Sequence, residues 1–200
     1  MEIFINEQKA QITLENEKNL GDILVGIESE CEKASATVIG IELNGNAIEA
    51  DKIEEFSKTE LSNIETLKLT TVCKSDIYTS FKQIAQNIAE IEDAFSMVSA
   101  NLQTGKDKEV NEVLAKFADI FDYFCRVITL STLFPQDFSN FLIAGSSIKD
   151  FLADFSPILS DFENALQQKD TVSISDLAEY EILPRLQNIK DFCNEIQEVE

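Results

Sequence analysis

Ile39-Gly40-Ile41-Glu42-Leu43-Asn44-Gly45 decides how the first third of the chain is read. Ile39, Ile41 and Leu43 alternate with small or polar positions, which is the period of a half-buried strand. Asn44-Gly45 follows directly, and Asn-Gly suits a two-residue hairpin turn in which both central φ angles are positive. The run is therefore a strand closed by a tight turn, with residues 46–49 as a short return strand.

Outward from this strand, the flanking segments take complementary patterns. Asn19 is a good N-cap, and Asp22 sits in the first turn where the helix dipole favours an anion. Leu20, Ile23, Leu24, Ile27 and Cys31 then recur at helical spacing to about Ala34. Before the helix, Ile3 and Ile5, then Ile12 and Leu14, alternate on either side of a turn around Glu7-Gln8-Lys9, a hairpin pattern. After the Asn-Gly turn, Asp51 caps a short helical turn carrying Ile53 and Phe56, and Leu67 and Leu69 alternate in a closing strand.

The order β-β-α-β-β-short helix-β over residues 1–72 resembles the ubiquitin-like β-grasp fold. The resemblance is carried by the opening hairpin, the helix after Asn19, the strand ending in Leu43-Asn44-Gly45, and the closing stretch Ile64-Glu65-Thr66-Leu67-Lys68-Leu69. It implies a docking module. The chain continues as Cys73-Lys74-Ser75 after Val72 and has no terminal Gly-Gly there, which argues against a conjugated tag.

Beyond residue 72 the composition changes. All three Pro and 12 of the 14 Phe lie there, whereas four of the six Gly lie in the first 45 residues. Ser75 caps a helix whose stripe runs through Ile77, Phe81, Ile84, Ile88, Ile91, Phe95 and Leu102. A second helix from Asp107 carries Val110, Phe117, Phe124 and Ile128. A third carries Phe138, Phe141, Leu142, Phe151 and Phe155, with Pro157 expected to kink or restart it. A fourth, after Asp170, carries Ile174, Leu186, Ile189 and Phe192 and is interrupted at Pro184. The expected fold class is α+β: a ubiquitin-like domain over 1–72 and an all-α antiparallel four-helix bundle over 75–200.

In helix number, acidity and the stretch from Asn101 to Cys125, the second part resembles bacterial flagellar and secretion export chaperones of the helical-bundle type. Asp176-Leu177-Ala178-Glu179-Tyr180-Glu181-Ile182-Leu183-Pro184 is similar to a stretch of uncharacterised bacterial proteins, and so is the chain as a whole. These resemblances imply a chaperone-like, protein-binding role.

Composition narrows the chemistry. The 200 residues include 37 Asp and Glu against 16 Lys and Arg, a net charge of −21, and no His. Without His there is no Ser-His-Asp triad and no His-ligated metal. The acidity repels phosphate backbones and anionic membrane surfaces, so neither nucleic acid nor membrane is an expected partner. It is spread along the chain, with a net charge of −9 over residues 1–72 and −12 over 73–200. No apolar run approaches the ~20 residues that cross a bilayer, and Met1-Glu2-Ile3-Phe4-Ile5 does not read as a signal peptide. Cys31, Cys73, Cys125 and Cys193 are far apart and fit buried reduced thiols in a cytoplasmic protein.

No phosphate-binding, dinucleotide-binding or nucleophile-elbow motif occurs. Acidic pairs such as Glu28 with Glu32 and Asp150 with Asp154 read as solvated helix faces. The only arginines, Arg126 and Arg185, are expected to pair with carboxylates. The candidate partner-binding surface is Phe134, Phe138, Phe141, Phe151 and Phe155, clustered near Pro135 and Pro157. These side chains either fill the core or line a groove for a partner helix. The expected function is a non-catalytic protein-binding adaptor or chaperone-like factor. It would have no catalytic, cofactor or metal residues and would meet another protein through a helix-in-groove or sheet-edge contact. The alternative is a small-molecule or divalent-metal binder, or an enzyme, using carboxylates at the seam of the two domains.

Overall fold

Asn6 and Glu7 both take left-handed backbone angles, φ 49° and 64°, in the computed structural model, which describes residues 1–14 and 16–196. They close a two-residue turn between strand β1 (Glu2–Ile5) and strand β2 (Gln8–Lys9). This corrects the expected hairpin. The turn comes earlier, so the return strand ends at Lys9, and Ile12 and Leu14 lie outside it. Leu14 packs half-buried against the core instead.

Helix α1 (Leu20–Lys33) begins as its sequence implies. The Asn19 Oδ1 accepts the Asp22 N–H at 3.0 Å, and the Asp22 carboxylate accepts the Lys18 N–H at 2.8 Å. The first bond satisfies a donor that the helix start leaves open, and the second holds the chain that leads into it. Strand β3 (Ala36–Leu43) follows and turns through Asn44 and Gly45, at φ 50° and 82°, into β4 (Asn46–Ala47). Asn44 does more than turn the chain: its Oδ1 accepts the N–H groups of Glu65 and Thr66 at 2.8 and 3.0 Å. It thus fixes the entry to the last strand.

A 3₁₀ turn (Ala50–Lys52) leads into the single-turn helix α2 (Ile53–Phe56), and a second 3₁₀ turn (Leu61–Asn63) precedes β5 (Thr66–Cys73). Asp51 is not the cap of this region. The 3₁₀ turn starts one residue before it, after Glu49, which makes no side-chain cap. The sheet order is β2-β1-β5-β3-β4, with β1 parallel to β5 and the other neighbours antiparallel. Alternation delivers Ile3, Leu43, Leu67 and Leu69 to the face that packs on Leu20, Ile23 and Ile27 of α1. Leu67 is fully buried, a burial that contributes about 1.5–3 kcal/mol.

Residues Met1–Asp76 form one compact unit and Ile77–Glu200 another. The second is mostly helical: α3 (Lys74–Ser96), α4 (Val98–Gln103), α5 (Asp107–Ser131), α6 (Pro135–Phe138), α7 (Ile148–Gln168), α8 (Thr171–Asp176) and α9 (Leu183–Glu195). The first expected helix is two, broken at Met97, which leaves the helical region at φ −90°, ψ 0°. The Asp76 carboxylate accepts the Cys73 N–H at 3.2 Å where α3 begins. Residues 197–200 of the expected bundle lie outside the described residues.

This unit is not purely α. Strands β6 (Leu142–Ile143) and β7 (Ser146–Ser147) pair across Ala144 and Gly145, whose φ angles are 51° and 81°. The hairpin takes Phe138 and Phe141 off the third helix, which starts only at Ile148. Ser147 caps that helix, its Oγ accepting the Asp150 N–H at 3.1 Å. Pro157 does not break α7. It is exposed, and so is Ala153, whose carbonyl its missing N–H leaves free for water. Near Pro184 the irregularity lies one turn earlier, as a π segment (Leu177–Ile182) that widens the chain ahead of the proline in the first turn of α9.

Candidate functional site

The connection from α5 to α7 leaves an apolar groove of about 550 Å³. Ile128 and Thr132 line it from the end of α5, Phe138 and Phe141 from the connector, and Ile148 and Leu152 from the start of α7. Three helical segments meet there, the end of α5, α6 and the start of α7, with the β6–β7 hairpin packed against α7. Ile128, Phe141, Ile148 and Leu152 are half-buried. Leu133 and Leu142, on the same connector, are 46% and 54% exposed.

The hydroxyls in the lining are largely committed to local partners. Ser131 Oγ donates to the Ile128 carbonyl at 2.8 Å, and Thr132 Oγ1 donates to the Thr129 carbonyl at 2.7 Å. Ser147 Oγ donates to Asp150 Oδ2 at 2.6 Å. Lys149 supplies the charged group of the lining. The groove therefore presents mainly apolar contact, with few fixed polar groups to orient a small substrate.

The five candidate phenylalanines separate into two groups. Phe138 packs on Tyr78 at 5.0 Å, Phe81 at 6.1 Å and Phe141 at 5.9 Å between ring centroids, and Phe141 meets Phe192 edge-on at 6.1 Å. Phe151 and Phe155 pair at 6.0 Å, and Phe155 meets Phe121 edge-on at 5.2 Å. Phe138, Phe151 and Phe155 are buried, whereas Phe134, at the start of α6, and Phe141 are half-buried. Of the five, Phe138 and Phe141 line the groove, Phe141 with the more accessible ring, and Phe134 is half-buried outside its lining. Ile128, Ile148 and Leu152 complete the groove. Sequence reasoning placed Ile128 on a helix face only; the signal for its meeting with Ile148 and Leu152 was Ala144-Gly145, a turn just before α7.

Ion pairs fasten the helices. Arg185 donates to Asp154 Oδ2 and to Glu181 Oε2, each at 2.7 Å, and its guanidinium lies 5.7 Å from the centre of the Phe155 ring. Lys190 pairs with Glu92, whose other oxygen accepts the Gln187 Nε2 at 2.9 Å. The hydrogen bond from Lys190 holds the Glu92 carboxyl below the usual carboxylate range, against the opposing effect of partial burial. Arg126 pairs with Asp122 at 3.0 Å on an exposed face, as local spacing implies.

All four cysteines are free. Cys193 is buried, and desolvation pushes its thiol up to about 12; Cys31, Cys73 and Cys125 are only half-buried, which departs from the expectation of four buried thiols. Among the described residues no group of three or more Cys, Asp or Glu side chains converges as a metal ion requires. Among the same residues, no helix is long and apolar enough to cross a membrane.

Residues 1–73 match the family model described as "TP0873 N-terminal domain", and residues 79–192 match "Domain of unknown function (DUF8042)". A protein of Treponema pallidum (strain Nichols), described as "Uncharacterized protein", is 27% identical over 191 residues, covering 96% of this chain and 95% of the relative. No solved structure matches the chain. The second match contains every residue that lines the groove and spans more than half of the chain, and the protein therefore belongs to the DUF8042 family.

Proposed function

We propose that the protein is a non-catalytic, chaperone-like adaptor that receives an apolar helical segment of another protein in the groove between α5, the connector and α7. The observation that carries this reading is the groove's chemistry: half-buried Ile128, Phe141, Ile148 and Leu152, with the hydroxyls of Ser131, Thr132 and Ser147 already bonded locally. Such a surface gains most from an apolar helix face. On this reading the N-terminal unit is a ubiquitin-like β-grasp; support comes from its sheet order, its parallel β1–β5 pair and its single long helix. The helical unit is an antiparallel four-helix bundle built on α3, α5, α7 and the α8–α9 segment. Its free thiols and its strong negative charge suit a cytoplasmic protein.

The test is a photo-crosslinking residue at Leu152 of the full chain in its native cells, with the same probe at exposed Asp119 as control. We expect one dominant protein adduct at Leu152, mapped to an amphipathic helical segment and absent when Ile128→Glu is combined with the probe. A flat crosslinking pattern, together with a metabolite that raises the melting temperature, would sink the reading.

A further inference from the structure

One long strand of the N-terminal sheet is left half uncovered. β3 has eight residues, but β4 pairs only with Glu42 and Leu43, with one further hydrogen bond from the Ile48 N–H to the Ile41 carbonyl. Among the described residues no strand pairs with the outer side of residues 36–40. A β-bulge lies in this stretch, between Val38 and Gly40, and Ile39 is 45% exposed.

Beside this open edge is a pocket of about 320 Å³, lined by Leu24 and Glu28 of α1, by Val38 to Ile41 of β3, and by Ile48, Ala50 and Ile53. That volume is at the small end for a whole ligand and fits an inserted aliphatic side chain. The charge around it has one sign. Glu28 lines the pocket, and Asp51 and Glu54 sit on the short helical turns that carry Ala50 and Ile53. Among the described residues none of the three is in an ion pair, whereas the nearby Lys33 and Lys52 are held by Glu30 and Glu49 at 2.6 and 2.8 Å.

We propose that residues 36–40 of β3 accept an extended, basic segment of another protein as an added strand. Backbone hydrogen bonds along the edge would supply binding, one aliphatic side chain would enter the pocket between Leu24 and Ile53, and flanking Lys or Arg residues would meet Glu28, Asp51 and Glu54. A second copy of this chain is the poorer occupant, because it would bring the same uncompensated carboxylates to the same edge. This surface belongs to the N-terminal unit and is independent of the groove in the helical unit, so either proposal can fail alone.

The experiment uses the full chain and three synthetic nonapeptides. The first repeats Lys-Thr-Val-Thr, so that Lys and Val fall on one face of the strand, the second replaces its Lys by Glu, and the third repeats the first with alternate backbone nitrogens methylated. Binding is measured by calorimetry, and amide hydrogen exchange reports the site. We expect the basic peptide to bind, to slow exchange at residues 36–40, and to weaken at least tenfold between low and high salt. The methylated peptide and a Glu28→Gln/Asp51→Asn/Glu54→Gln variant should each lose at least tenfold. The proposal is overturned if the methylated or acidic peptide binds as well as the basic one, or if protection appears elsewhere. It is equally overturned if the edge becomes protected only as protein concentration rises, which would identify a second copy as the occupant.

Discussion

Arg185 and Asp154, 31 residues apart, are joined by a guanidinium–carboxylate bond of 2.7 Å that ties α9 to α7. The arginine is the more deeply held partner, its side chain 20% exposed against 68% for Asp154. It also bonds Glu181 and lies over Phe155. Truncating Arg185 therefore removes several contacts, whereas truncating Asp154 removes one, at a solvated carboxylate where screening leaves little. Arg185→Ala should cost about 1–2 kcal/mol of stability. Asp154→Asn should cost about 0.5 kcal/mol or less. Hydrogen exchange at the Phe155 amide measures both, and equal costs would show that the Asp154 bond, rather than the cluster around Arg185, is the main fastener.

The Glu92–Lys190 pair gives the helical unit an acid sensitivity of definite sign. The carboxyl of Glu92 is held below its ordinary value of 4.5 in the folded protein, chiefly by the bond from Lys190. A depressed folded value means that the unfolded chain binds the proton first as pH falls. The stabilisation is thus present above the ordinary value and is lost as pH drops through the folded one. Glu92→Gln should cost about 1 kcal/mol near neutral pH. That difference from the unsubstituted protein should shrink on acidification below 4.5. A difference that stays constant from neutral to acid pH would mean that charge at Glu92 contributes nothing.

The parts of the fold that were legible were those set by short-range chemistry. Asn19 and Asp22 announce the start of α1, and Asn44-Gly45 announces a turn, because each acts within a few residues. Phe138, Phe141 and Leu142 misled for the same reason in reverse. They stand three and four apart, the spacing of a helix face, although the chain there is a short helix followed by a two-residue strand. Two-residue strands carry no period to read. The π segment was equally silent: Ile174, Ala178, Ile182 and Leu186 are buried at steps of four, a spacing that an α stripe also allows. The groove was beyond reach because Ile128 and Leu152 meet only through the returning hairpin.

Pro157 sits inside α7 without ending it, and that tolerance has a measurable cost. A proline in a helix interior forfeits one hydrogen bond and is about 3 kcal/mol less favourable than alanine. Here the residue is exposed and water can reach the orphaned Ala153 carbonyl, so part of the penalty is already relieved. Pro157→Ala should therefore stabilise the helical unit by about 1–2 kcal/mol. Chemical denaturation followed by helical circular dichroism would detect it. A midpoint that is unchanged or lower would show that α7 needs the proline's geometry to aim Phe155 and Phe162.

Gly26 and Gly45 make opposite predictions from the same substitution. Gly26 is on the exposed face of α1, and a Cβ built there meets nothing within 4 Å. Alanine at that position loses less chain entropy on folding, so Gly26→Ala should stabilise by about 0.8–1 kcal/mol. Space is also open at Gly45, yet its φ of 82° is one that L side chains rarely adopt. Gly45→Ala should destabilise by about 1–2 kcal/mol. Exchange of the buried Leu67 and Leu69 amides reports the stability of the sheet unit for both variants. If the two shifts share a sign, backbone conformation is not what selects glycine after Asn44, and the turn must be held instead by the bonds of Asn44 to Glu65 and Thr66.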